Sequence, residues 1–558
     1  MRVLRLRAGH GPVTRAAAAL VCVTVAQLGG LSGVARAQGS AAADAVGFGP
    51  VTAPSATDAT PSGRGGSGDA GDAEVGDADV SGTDGADVVG FGDAVGFGAV
   101  DAHGEVTATG GDDAEGVGSN RHALSLRGTL ATELALRPPP AGRGVLAKAR
   151  AWTTLTLRYR RGLFRAQVGG HAAYDLAYLD NEPAVDRDAY ERLVRIDESY
   201  LALSGAHAEL ATGALVHAMG TADLLGVVDV VAPRDLREPG LTDPAATRLP
   251  TFSSRLSLFF GPHRLEVGVL HEAHYGLRPA PLGEFSPVRD LLLNAPGVAG
   301  TELHVLLATR DLRYQDDVRG VSRRAQQPFA RARFELGPVS AEVIYARLRD
   351  RLGLLRFPEM EALANPRVDL PLAHPFYDQL GVAAQGAVGA WVLSFEALAE
   401  VGKPIAVADP SVPAPVVLAE RRDLFGAVLG LRYEGLPGVV LSAEHRRATY
   451  APNDRAESNG DALRPLLPFT LSATALRYQH RLARDRVELE LALVVFGDRG
   501  EGGLLGRAFV SYRPTDALRL RLGYLLYHEG REPGPLRGFG HSDRVQFDLR
   551  WDFAAQRS

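Results

Sequence analysis

Acidic and basic side chains are concentrated between residues 223 and 248, close to the apolar stretch Val227–Val231. A ring of such side chains around a water-filled passage would act as an electrostatic filter on solutes. The alternative is a packed external loop in which these charges pair with one another, and surface pairs of that kind contribute little to stability. The charged residues of this set are Asp223, Asp229, Arg234, Asp235, Arg237, Glu238, Asp243 and Arg248.

A second set consists of arginines that recur two residues apart in stretches with alternating polarity. Residues two apart lie on the same face of a β-strand, so each pair would line one face. Together they would form a basic ladder that favours anionic solutes. The alternative is mutual pairing with acidic residues such as Glu488, Glu490, Asp548 and Asp552. The candidate ladder comprises Arg158, Arg160, Arg331, Arg333, Arg519 and Arg521.

Catalytic motifs are not recognisable in the chain. It contains no Gly-x-Ser-x-Gly elbow, no His-Glu-x-x-His zinc helix and no phosphate-binding glycine loop. His271 and His274 are three apart, which places them on opposite faces of a strand and argues against a shared metal. We therefore predict no catalytic residues, no cofactor and no metal. A barrel hydrolase remains an alternative, because a serine and a histidine distant in sequence can meet in space.

The part of the chain that must position these charges, residues 121–558, is predicted to be almost entirely β. In 545–553 the odd positions are apolar or aromatic and the even positions are polar or charged, which is the period of a strand with two different faces. The same period recurs in 487–493 and 518–522. A soluble sandwich would alternate in the same way, so the period alone leaves the fold class open.

Connection lengths favour a barrel. Short turns alternate with long loops, and about eighteen strands of about ten residues each are the pattern of a bacterial outer-membrane barrel. Sixteen or twenty strands are alternatives, and the strand-like Thr301–Ala308 is assigned to a long external loop over 275–326. The predicted strands are 123–136, 148–160, 163–175, 194–205, 207–217, 251–261, 263–274, 327–336, 338–348, 379–388, 390–400, 424–434, 437–448, 470–481, 485–496, 504–513, 516–528 and 542–553.

The N-terminal fifth of the chain, residues 1–120, has a different composition. Residues 1–37 match a cleaved secretory signal, with an apolar stretch too short to span a membrane, and they contain the only cysteine, Cys22. Residues 38–120 are rich in Gly, Ala and Asp, with a net charge of −14, and are predicted to be disordered. Their repeats at 44–49, 87–92 and 93–98 would serve as a spacer or as a docking motif for a periplasmic partner.

Residues 121–558 are predicted to form the barrel. Their net charge of about +3 gives no indication of nucleic-acid binding. They contain no apolar run of ~18 residues, which excludes helical spans and leaves a closed barrel as the way to cross a membrane.

The charged loop also resembles a known sequence pattern. Met219–Asp223, Val228–Arg237, Asp243 and Arg248–Pro250 are similar to the signature of a family of porin-like outer-membrane proteins of unknown function, in which Gly-x-x-Asp precedes Val-x-Asp-x-x-x-Pro-x-Asp. The resemblance implies a channel or an export partner and adds no catalytic residues.

The predicted function is a porin-like channel in the outer membrane of a Gram-negative bacterium, for passive passage of small polar or charged solutes. Its expected surroundings are outer-membrane lipid and the solutes themselves, with a homo-oligomer as an alternative to a monomer. An export or assembly barrel that contacts a periplasmic partner through 38–120 is the second hypothesis.

Overall fold

A computed structural model describes residues 122–138, 145–179, 189–240, 244–294, 301–356, 361–408, 417–451, 464–465, 470–530 and 534–557. The predicted signal peptide, 1–37, and the predicted acidic segment, 38–120, lie outside these ranges.

Eighteen strands within the described ranges form one antiparallel sheet that closes on itself, because the first strand pairs with both the second and the last. The predicted fold class and strand number are confirmed. The strands are β1 His122–Leu136, β2 Leu146–Arg161, β3 Phe164–Asp175, β4 Arg192–Ile196 continued by Ser199–Ser204, β5 Ala208–Leu215, β6 Thr251–Phe260, β7 His263–Leu270, β8 Gln327–Leu336, β9 Val339–Arg349, β10 Phe376–Val388, β11 Trp391–Ala408, β12 Val417–Leu436, β13 Val439–Tyr450, β14 Thr470–Leu482, β15 Val487–Phe496, β16 Gly503–Thr515, β17 Leu518–Glu529 and β18 Arg544–Arg557.

Turns and loops segregate to opposite rims. Eight connections of two to four residues close one rim, several through a glycine in the left-handed region such as Gly162 and Gly389. The nine connections at the other rim run from six residues up to the fifty-six of 271–326. The N-terminus of the barrel lies at the short-turn rim, where His122 pairs with Arg161.

The longer loops contain the few other elements. The helices are Leu176–Tyr178, Pro244–Thr247, Arg289–Asn294, Glu302–Thr309, Arg323–Ala325 and Ala362–Ala364, of which the first and the last two are 3-10. The short strands are Glu272–Ala273, Asp311–Asp316, Gly320–Val321, Leu354–Leu355, Arg367–Ala373 and Arg464–Pro465. Thr301–Ala308 lies in a loop as predicted, but most of it is helical.

Side chains alternate between the two surfaces of the barrel wall. On β18 Phe547 and Trp551 are 42% and 45% exposed on the outside of the barrel. Gln546, next to Phe547 in sequence, faces the inside and is 3% exposed. Leu522 and Leu526 point outward from β17 in the same way. No helix in the described ranges is long and apolar enough to span a membrane. The wall is thus apolar outside and polar inside, which is the polarity of an outer-membrane barrel.

The residues after the last aromatic of β18 continue the strand. Ala554, Ala555, Gln556 and Arg557 pair with 124–127 of β1, so they complete the closure of the barrel wall. An additional four pairs at this seam extend the contact between the first and last strands.

Candidate functional site

Residues 216–240 and 244–250 of the connection between β5 and β6 fold into the barrel; we call this connection the lumen loop. Arg331 of β8 donates a hydrogen bond to the Ala218 carbonyl, and Tyr527 of β17 donates one to the Pro239 carbonyl. Lys148 of β2 reaches Glu238 of the loop. The loop therefore contacts the inner wall on several sides of the barrel.

Two glutamates of the wall hold the first half of this loop. Glu396 of β11 is 1% exposed and accepts four backbone N–H groups, from Thr221 and Ala222 on Oε1 and from Val227 and Val228 on Oε2, at 2.6 to 3.3 Å. Backbone donors thus surround a buried carboxylate. Hydrogen bonds to a charged group contribute about 1.5–3 kcal/mol each.

Glu444 of β13 repeats the arrangement one position further along the loop. Its Oε1 accepts the N–H of Asp223 at 2.7 Å, and its Oε2 accepts those of Leu224 and Leu225 at 3.0 and 2.7 Å. Glu342 of β9 accepts the N–H of Gly220 at 3.2 Å. These three wall carboxylates, which we call the loop clamp, satisfy eight consecutive or nearly consecutive backbone donors.

A glycine is required where the loop meets the clamp. Gly220 has a φ of +84°, which L side chains rarely adopt, and a Cβ there would lie 2.3 Å from Glu396 Oε1. The glycine of the predicted Gly-x-x-Asp pattern therefore lets the backbone approach a wall carboxylate.

Apolar side chains of the loop pack against the wall between the clamp residues. Val227, Val228 and Val231 are at most 2% exposed in a cluster with residues such as Phe329 and Ile344. The preceding Leu224 and Leu225 belong to a second cluster, built largely from the inner faces of β14 to β17. Burial of this apolar surface adds to the clamp in fixing the loop.

The loop's charges form local pairs. Asp229 Oδ2 lies 2.7 Å from both Arg234 and Arg248, and Asp235 lies 2.7 Å from Arg237. Asp243, which the sequence analysis also included among the charged candidates, lies outside the described residues.

Two further charges of the loop pair with the wall. Glu238 contacts Lys148 at 2.5 Å and Arg150 at 3.0 Å on β2. Asp223 contacts Arg432 of β12 at 3.3 Å, and this pair stays about a quarter exposed, at 29% and 26%.

Ion pairing changes the titration of the loop carboxylates. Burial opposes the ionisation of Glu238, but Arg150 and Lys148 outweigh it and place its pKa well below the usual range. Burial likewise opposes the ionisation of Asp235, whose pKa is lowered by its hydrogen bond and charge interaction with Arg237. Both groups are therefore ionised near neutral pH.

A small space lies where the lumen loop meets the wall. It measures about 10 Å³ and is lined by residues including Asp223, Ser394, Arg432 and Glu444. A volume of this size holds about one water molecule. The exposed Asp223–Arg432 pair is thus the charged contact that borders it.

The predicted basic ladder lies on the inward face of its strands. Arg331 pairs with Glu342 and Glu266, and Arg521 pairs with Glu490 at 3.2 Å. Arg158 donates a hydrogen bond to Gln167, and Arg333 donates one to Glu335. Arg160 and Arg519 lie at inward-facing positions of their strands. The arrangement contains several mixed Arg–Glu pairs, so it is not a row of cations alone.

The clamp glutamates were not among the sequence candidates. Each is a single acidic residue on the inward face of a strand that alternates in polarity. The loop N–H groups that bind them lie far away in sequence. In the described ranges, no group of three or more His, Cys, Asp or Glu side chains is arranged to hold a metal ion.

No protein-family model matches the chain. No curated protein matches it in sequence. The resemblance of the loop to a porin-like family signature therefore stays a prediction.

Among solved structures the chain is similar to OccK8 (OprE) of Pseudomonas aeruginosa, with 10% identity and a TM-score of 0.44 over 78% of this chain and 98% of that one. OccAB4 of Acinetobacter baumannii has 9% identity and a TM-score of 0.43, over 79% and 100%. OpdL of Pseudomonas aeruginosa has 13% identity and a TM-score of 0.41, over 78% and 99%. Sequence identity and TM-score are both low, so these similarities carry no argument about function.

Proposed function

We propose that the protein is a porin-like channel of the bacterial outer membrane, through which small polar or charged solutes pass passively, and that the lumen loop forms its narrowest part. The observation that carries this proposal is the loop clamp. A loop that merely covered the mouth would have no need of buried wall carboxylates along the middle of the strands.

The polarity of the wall supports the membrane part of the proposal. Lipid would cover the outward apolar and aromatic side chains, and water would solvate the inward charges. No chemical step is required for passive passage, only a lumen and a charge pattern at its narrowest point.

The charges beside the clamp support a preference for polar solutes. Asp223 and Arg432 present one negative and one positive group to the same small space, which Glu444 also lines. A solute that passes beside this pair would exchange hydrogen bonds with water for hydrogen bonds with these groups. An apolar solute would gain nothing from them and would force their desolvation.

Solute uptake by proteoliposomes tests the proposal. The mature chain, refolded into liposomes, should admit small neutral sugars, amino acids and organic anions at rates far above protein-free liposomes. Asp223→Asn should change the ratio of anion to cation uptake, whereas Glu335→Gln, at the short-turn rim, should leave that ratio unchanged. A correctly folded barrel that admits none of these solutes would contradict the proposal.

Deletion of 38–120 separates a channel from an export barrel. A channel should keep its uptake rates without this segment, which lies outside the described residues. An export or assembly barrel that contacts a periplasmic partner through 38–120 would lose its function on the same deletion.

A further inference from the structure

The outer face of β13 and β14 carries polar side chains where neighbouring strands present apolar ones. His445 and Arg447 point outward from β13 in the half that leads to the long-loop rim, and both are exposed. Thr474 and Ser472 lie opposite them on β14. A polar group on a lipid-facing surface is costly unless it has a partner.

Arg447 lacks a hydrogen-bonded partner in the described part of the chain, although the Asp498 carboxylate in the nearby turn interacts with its charge at longer range. Among the residues that the structure describes, no acceptor lies within hydrogen-bond distance of its guanidinium and no carboxylate lies within 4.0 Å, whereas His445 is bonded to Thr474 at 3.0 Å. Asp498, in the nearby turn, accepts a hydrogen bond from Ser472 at 2.6 Å. The guanidinium is therefore an exposed cation in a small polar patch between apolar outer faces.

Small residues border Arg447 on one side. Its partner on β12 is Ala427, and the partner of Ala427 on β11 is Ala397. Both alanines point outward with Arg447, which leaves a shallow strip beside the guanidinium with room for a flat or extended group.

An apolar groove lies below this patch on the same strands. It has a volume of about 400 Å³ and is lined mainly by outward residues of β11 to β15, among them Trp391, Tyr433, Leu441, Leu476 and Leu491. Leu441 and Arg447 are six residues apart on one strand, about 20 Å along it. With a strand tilt of about 40° this is about 15 Å along the membrane normal, the thickness of one leaflet of the hydrocarbon core.

From this combination we infer that the outer face of β11 to β15 binds a phosphorylated lipid of the outer leaflet, with the phosphate on Arg447 and an acyl chain directed into the groove. The inference rests on the proposed membrane location but not on conduction. The charge of the patch, its place toward the long-loop rim and its distance from the groove favour this occupant over a second copy of the chain. A second copy would need an acidic group to meet Arg447 as well as a matching apolar surface.

Native mass spectrometry of the full mature chain tests the site, with bis-phosphorylated lipid A as the probe and the same lipid without phosphates for comparison. The wild type should retain the phosphorylated lipid about tenfold more than the phosphate-free one. Arg447→Gln should abolish that preference. Arg421→Gln is the matched control, because Arg421 also lies in this half of the wall but donates to the Phe376 carbonyl.

A groove variant keeps the test independent of the arginine. Ala443→Trp fills the groove and should lower retention of the phosphorylated lipid while Arg447 is intact. Equal retention of the two lipids by the wild type, or unchanged retention in Arg447→Gln, would overturn the inference. It would also be overturned by a lipid-free dimer that Arg447→Gln dissociates, since the face would then join two copies. Because lipid retention is read without transport, its failure is distinguishable from failure of the proposed channel.

Discussion

Removal of the Glu396 side chain should free the first half of the lumen loop. In Glu396→Ala the N–H groups of Thr221, Ala222, Val227 and Val228 lose a common carboxylate acceptor. Because Val227 and Val228 are buried and Thr221 and Ala222 are partly buried, water can replace the carboxylate at all four donors only if the loop moves away from the wall. The variant should therefore favour a displaced loop within an intact barrel.

The size of the effect follows from the hydrogen bonds. Each bond to a charged group contributes about 1.5–3 kcal/mol, so four would amount to about 6–12 kcal/mol if they were independent. They share two oxygen atoms, and Glu444 and the apolar contacts of the loop remain, so we expect about 3 kcal/mol of the free energy of local opening to be lost. At about 1.4 kcal/mol per factor of ten, that corresponds to a roughly hundredfold faster amide exchange.

Hydrogen–deuterium exchange of peptides that cover 219–229 would measure this change. Glu335→Gln is the matched control, because Glu335 also lines the lumen but pairs with Arg333 near the short-turn rim. Peptides from the barrel strands should exchange at wild-type rates in both variants. Unchanged exchange of the 219–229 peptides in Glu396→Ala would refute the clamp, and faster exchange throughout the barrel would show that Glu396 supports the fold rather than the loop.

Three further outcomes are expected. Gly220→Ala should lower the thermal unfolding temperature more than Gly389→Ala. Both glycines have a positive φ, but only a Cβ at position 220 would lie against Glu396. Unfolding curves of the two variants measure the difference, and equal shifts would contradict the steric reasoning. Glu238, whose pKa is lowered by Arg150 and Lys148, stabilises the fold above its usual pKa of 4.5, and this contribution falls as pH drops toward the lower folded value. The unfolding temperature of the wild type should therefore fall more steeply below about pH 4.5 than that of Glu238→Gln, and parallel curves would exclude the Glu238 pairs as its cause. Arg234→Ala or Asp235→Ala should shift the reversal potential in a salt gradient if these residues border the path of the ions, whereas no shift in either would place that path elsewhere.

The wall of the barrel was predictable from the sequence because its signal is local. Residues 545–553 alternate strictly, and the structure places them outward and inward in that order. Boundaries were less accurate where strands continue beyond the alternating part. The predicted strands at 390–400 and 424–434 extend to Trp391–Ala408 and Val417–Leu436, because the two pair with each other well past the predicted ends.

The lumen loop was predictable as a charged long connection, but its contacts were not. Glu396 and Thr221 are 175 positions apart, and Glu444 and Asp223 are 221 apart. The two-residue period of a strand indicates that a side chain faces inward, but it does not indicate which distant loop that side chain will contact. The sequence also did not predict the break in β4 at 197–198, where the Asp197 N–H donates to the Gly169 carbonyl outside the regular ladder.

Single-channel conductance in planar bilayers tests the central claim most directly, with the wild type compared with Glu396→Ala combined with Glu444→Ala. We expect discrete conductance steps from the wild type and larger, noisier steps from the double variant, because release of the lumen loop would widen the narrowest part of the passage. Equal conductance of the two folded barrels would contradict a constriction by this loop, and absence of conductance from both would contradict the channel itself.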